Sequence, residues 1–108
     1  MKTEFAIAII LMTSLLLTGI SGCAPEAKAA SIEIKNFAFN PPELTMDKGT
    51  TVTWTNHDSV THDITINNGL FDHDLNPGES FSFMFNESGA YDYHCDIHTS
   101  MKGTIIVK

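Results

Sequence analysis

From Ser31 to the end, the chain keeps a two-residue period in which apolar and polar side chains alternate. Turn-forming residues interrupt it about every 8 to 12 positions, the pattern of a β-sandwich or barrel. Ile32, Ile34 and Phe39 belong to a first strand that Pro41-Pro42 ends, and Leu44 and Met46 lead into the turn signal Asp47-Lys48-Gly49. Thr50 to Thr55 alternates threonine with Val52 and Trp54, as a half-buried strand does. Asn56-His57-Asp58-Ser59 reads as a polar loop. Val60, His62, Ile64 and Ile66 share one parity and therefore one face. Phe81, Phe83 and Phe85 alternate with Ser80, Ser82 and Met84, which sends three rings toward one core. Tyr91, Tyr93 and Cys95 share a face, with Asp92 and His94 on the other, and Gly103 to Val107 makes the last strand. No helical pattern is long enough to compete. The expected fold is all-β, a sandwich of 7–8 strands in two packed antiparallel sheets, as one domain over residues 31–108. A core this small gains useful stability from a bound metal.

Residues 1–22 do not belong to that fold. A charged start, an apolar run from Phe5 to Leu17 and a small-residue end describe an export signal, too short for a comfortable membrane span. Ile20-Ser21-Gly22-Cys23 resembles the lipobox of bacterial lipoproteins, which implies cleavage before Cys23, its lipidation and an extracytoplasmic, membrane-anchored domain. A conventional signal cut before Ala24 or Ala30 is the competing reading. Residues 23–30 then form a tether of roughly 25 Å at most, at about 3.5 Å per residue.

Charge narrows the partners. Thirteen acidic side chains face six basic ones, all lysine, for a formal charge of −7, which disfavours nucleic acid and favours a basic partner. Neither GxGxxG nor GxxxxGK[ST] occurs, so nucleotide-dependent catalysis is not expected.

If Cys23 carries lipid, Cys95 is a lone thiol in an oxidising compartment, and metal ligation accounts for it. Cys95, His98 and Met101 stand at Cys-x-x-His-x-x-Met between the last two strands, where a tight loop can gather a thiolate, an imidazole and a thioether around one point. His62 offers a second imidazole from an inward strand face. Two histidines, one cysteine and a weak axial methionine form the blue-copper electron-transfer set, and the thioether favours copper over zinc. A buried structural thiol is the ordinary reading of Cys95 alone, but it leaves His62 among Val60, Ile64 and Ile66 without a partner.

With those residues in place, the domain from about Ser31 to Lys108 resembles a cupredoxin of the plastocyanin and amicyanin group. Thr51-Val52-Thr53-Trp54 and Gly89-Ala90-Tyr91-Asp92-Tyr93-His94-Cys95 are similar to the family's strands before the ligands, and the Cys95 to Met101 spacing resembles amicyanin's short loop. The resemblance implies an eight-stranded Greek-key sandwich and one type 1 copper on His62, Cys95, His98 and Met101. It also implies one-electron shuttling between a donor and an acceptor protein, by a monomer that turns over no substrate. Asp63 departs from the family's usual Asn after the first ligand, so the tie between the ligand loops is expected to rearrange and the potential to fall. Thr99 and Ser100 replace bulky apolar residues of amicyanin, which predicts a less hydrophobic patch around His98.

The remaining histidines are read as ordinary: His57 solvated, His73 exposed in a turn, His94 turned away from Cys95. Met46 and Met84 are packing or surface residues, and the Asn86-Glu87-Ser88 sequon carries little weight. The alternative function is extracytoplasmic copper handling, which usually employs open Met- and His-rich sites rather than a thiolate in a closed loop. A multicopper oxidase or nitrite reductase needs further copper sites and domains.

Overall fold

The computed structural model describes residues 28–108; the segment read as an export signal, Cys23 and the first part of the tether lie outside the described residues. Nine strands occur among the described residues, and no helix: β1 (Lys28–Ile34), β2 (Phe39–Asn40), β3 (Glu43–Met46), β4 (Thr50–Asn56), β5 (His62–Ile66), β6 (Asp72–Leu75), β7 (Ser80–Phe85), β8 (Gly89–His94) and β9 (Lys102–Val107). They form one sheet in the order β3-β9-β8-β5-β6 and a second in the order β2-β1-β4-β7, so the chain passes repeatedly from sheet to sheet, as in a Greek-key sandwich.

Strand β4 shows how the pattern becomes packing. Thr50, Val52, Trp54 and Asn56 are buried while Thr51, Thr53 and Thr55 are half-exposed. On that outer face Thr53 and Thr55 pair hydroxyl to hydroxyl with Ser82 and Ser80 of β7, at 2.6 and 2.8 Å. The inner faces join Ile32, Ile34, Val52, Trp54 and Phe85 of one sheet to Ile64, Ile66, Tyr93, Ile105 and Val107 of the other in one core. Each such side chain contributes roughly 1.5–3 kcal/mol on burial.

Five details differ from the expectation. The sheets are not wholly antiparallel: β1 runs parallel to β4 and β3 parallel to β9, because crossing between sheets brings these pairs together in the same direction. The first strand divides at Asn36 and Phe37, whose φ angles of 54° and 58° turn the chain back, which raises the count to nine. Strand β1 begins at Lys28, so Lys28, Ala29 and Ala30, read as tether, pair with Thr50, Thr51 and Val52. Val60 precedes β5 and is exposed, because the Asn56 side chain holds its carbonyl in the loop (2.8 Å). Of the three phenylalanines on β7 only Phe85 is fully buried, since β7 is an edge strand.

Candidate metal centre

At one end of the sandwich the first residue of β5 faces the loop between β8 and β9. The ladder between those two strands pairs His94 with Lys102, so the seven residues between them close on themselves. The Cys95 N–H donates to the Met101 carbonyl at 3.1 Å and the Met101 N–H to the His98 carbonyl at 3.0 Å. That closure turns Cys95 and Met101 inward, both buried, and leaves His98 half-buried at the rim.

The donor atoms of His62, Cys95 and His98 all lie within 4.8 Å of one another. His62 Nδ1 stands 3.1 Å from His98 Nδ1 and 3.9 Å from Cys95 Sγ. The sulfur accepts two backbone N–H groups, from Asp63 and from His98, each at 3.4 Å. On its other edge His62 Nε2 meets the Asp58 carboxylate at 2.8 Å. A carboxylate only accepts, so His62 Nε2 carries a proton, and the ring turns Nδ1 toward His98 and Cys95. Two imidazoles and a buried thiol converge on one point, a donor set suited to a soft or borderline metal rather than to magnesium or calcium.

The structure thus brings His62, Cys95 and His98 together and buries Met101 beside them on the same loop. His94 lies outside the cluster, bonded to Asn67 Oδ1 and Asp96 Oδ1 at 2.7 Å each. His57 and His73 are exposed, the latter stacked on Phe81. Met46 is buried and Met84 half-exposed.

Asp63 is buried, and the tie between the ligand loops persists in altered form: Asp63 Oδ1 accepts the Asp96 N–H at 2.6 Å, and Thr65 donates to Oδ2 at 3.4 Å. Burial pushes the Asp63 carboxyl above its ordinary range against the lowering effect of the Asp96 N–H, and the Asp96 and Asp72 carboxylates push it further. Asp58 has the opposite balance. Burial raises it, but the Phe37 and Asn36 N–H groups and His62 hold it below the usual carboxylate value.

Three residues of this end escaped the sequence reading. Phe37 packs edge-on against both imidazoles, with ring centroids 5.1 Å from His62 and 4.9 Å from His98. Asp58 and the fully buried Asn56 shape the loop before β5. The readable signal was the Asn56-x-Asp58 spacing, a common side-chain-to-backbone turn. Phe37 and Ile97, 50% and 52% exposed, also give the rim around His98 large apolar groups despite Thr99 and Ser100.

A family model described as a cupredoxin-like domain matches residues 5–107. The chain is 33% identical to amicyanin-alpha of Methylorubrum extorquens, over 95% of this chain and 93% of that protein. It is 38% identical to plastocyanin of Scenedesmus fuscus, over 65% of this chain and 86% of that one. Among solved structures, a purple cupredoxin from Nitrosopumilus maritimus superimposes with a TM-score of 0.67 at 37% identity, covering 73% of this chain and 99% of the other.

Proposed function

The chain belongs to the cupredoxin-like family, and from that premise we propose that it is an extracytoplasmic one-electron carrier whose single type 1 copper is held by His62, Cys95, His98 and Met101. The observation that carries this reading is the convergence of two imidazole nitrogens and a buried thiol within 4.8 Å. Copper bound there supplies a one-electron Cu(I)/Cu(II) couple. The chain's own residues hold the donors in place: the closed Cys95–Met101 loop and the backbone bonds to Cys95 Sγ favour one geometry for both oxidation states. His98, half-buried at the rim, connects the centre to the surface.

In this reading Cys23 anchors a monomer to the membrane through lipid, and the domain turns over no substrate. A protein donor and a protein acceptor dock near His98. The exposed carboxylates of Asp72, Asp74 and Asp96 near Asp63 support a basic docking face on the partner, whose association weakens as salt rises.

The test is a visible spectrum during titration with Cu(II), beside a Cys95→Ser control. The expected result is an intense blue thiolate-to-copper band that saturates at one equivalent and is absent from the control. No band, or a band that survives loss of Cys95, would sink the ligand assignment. Ready transfer of the copper to an apo-acceptor, without rapid electron self-exchange, would favour copper handling instead.

Asp63 offers a second check. A carboxylate beside the centre favours Cu(II), and Asp63→Asn keeps an oxygen for the Asp96 N–H while removing the charge. The variant is expected to raise the midpoint potential by roughly 50 mV, close to tenfold in a one-electron equilibrium. A potential that stays or falls would show that the charge does not reach the metal.

A further inference from the structure

Lys35 and Ala38 exchange backbone hydrogen bonds at 3.0 and 3.1 Å, which makes Asn36 and Phe37 the tip of a two-residue hairpin. Both tip residues have positive φ, 54° and 58°, the geometry of the type I′ turn. Asn suits the first position. The second favours Gly, and a phenylalanine there is strained unless its surroundings hold it.

One carboxylate does the holding. Asp58 Oδ1 accepts the Asn36 N–H at 2.7 Å, and Oδ2 accepts the Phe37 N–H at 2.9 Å. The same Oδ2 faces His62 Nε2 at 2.8 Å. Asp58 is fixed in turn: its N–H donates to Asn56 Oδ1 at 2.9 Å, and the Asn56 amide donates to the Val60 and Leu75 carbonyls at 2.8 and 2.9 Å. The Asp58 side chain is 11% exposed, so little water competes for these bonds.

We propose that Asp58 is the positioning residue of the metal centre: it holds His62 with Nδ1 free for copper and latches the Phe37 hairpin against the rings of His62 and His98. The inference rests on the copper reading above. The carboxylate also makes the imidazole a stronger donor, which favours Cu(II) over Cu(I). The latch shields the cluster from the hairpin side, where the Phe37 ring meets both imidazoles.

The test compares the full chain with its Asp58→Ala, Asp58→Asn and Phe37→Gly variants. The readouts are copper affinity by competition with a chelator, the blue band, the midpoint potential and apoprotein stability. Asp58→Ala is expected to bind copper ~10–100-fold more weakly, with a shifted band and a higher potential. Asp58→Asn keeps an oxygen for His62 but offers an amide where the hairpin N–H groups need a second acceptor. It should therefore raise the potential with a smaller loss of affinity, and it keeps the test decisive if Asp58→Ala does not fold. Phe37→Gly relaxes the strained tip and keeps the Asp58 to His62 bond, so its affinity should stay within about threefold of the parent. Parental affinity, band and potential in both Asp58 variants would overturn the proposal, even if their melting temperature fell. Failure of the copper reading itself is separate, since it would appear in the parent as no Cys95-dependent band.

Discussion

Gly103→Ala should destabilise the apoprotein by about 3 kcal/mol or more, at the upper end of the cost of overpacking a core. Gly103 stands opposite Tyr93 in the ladder between β8 and β9, and the Tyr93 ring folds back over it. A Cβ added there would fall on Cζ and the hydroxyl of Tyr93 and 2.7 Å from Cε1. The ring has nowhere to go: it is 1% exposed, with Phe39 at 4.7 Å and Trp54 at 5.6 Å between centroids. The damage should also reach the metal centre, because the residues that follow Tyr93 and precede Gly103 form the loop from Cys95 to Met101. Urea unfolding of the apoprotein measures the first effect, and the blue band measures the second. In a Tyr93→Ala background the same glycine substitution should cost much less, since the clash is gone. A loss under about 0.5 kcal/mol in the parent background would show that the ring relocates freely.

The metal centre was legible where its signal is local and obscure where it depends on distant chain. Cys95, His98 and Met101 occupy one short loop, so their spacing alone limits where their donors can point. Strand parity placed His62 on an inward face, and the structure buries it there although the strand starts at His62 itself and Val60 lies in the loop. Asp58 and Phe37 could not be found that way. They meet across 21 residues of sequence through a backbone amide, and a bond from a main-chain N–H leaves no mark on residue type. Phe37 is harder still, because the turn it occupies ordinarily announces itself with glycine. The parallel pairings were hidden for a related reason: alternation reports which face of a strand is buried, not which strand lies beside it. Lys28 and Ala29 are exposed and only Ala30, small and partly buried, touches the core, so the early start of β1 rests mainly on its pairing with β4 and left little pattern to reveal it.

Trp54→Ala is expected to cost roughly 3–5 kcal/mol, the range for removing a large buried aromatic side chain. Trp54 is fully buried, and its ring meets Phe71, Phe81, Phe85 and Tyr93 at centroid separations of 5.8, 6.2, 6.4 and 5.6 Å. These partners come from both sheets and from the stretch before β6, so neighbouring side chains cannot fill the void without moving several elements at once. A domain of this size has only about 5–15 kcal/mol of stability in all, so the apo variant should melt far below the parent. Copper should restore part of the loss. A ligand that binds only the folded form at 100 times its dissociation constant contributes about 2.7 kcal/mol, which offsets most but not all of the cavity. The aromatic partners of Trp54 include none of the metal-donor residues, so the folded, copper-loaded variant should keep the parental band position while its melting temperature falls. A band that shifts along with the melting temperature would mean that the core beneath Tyr93 sets the geometry of the Cys95 loop as well as its stability.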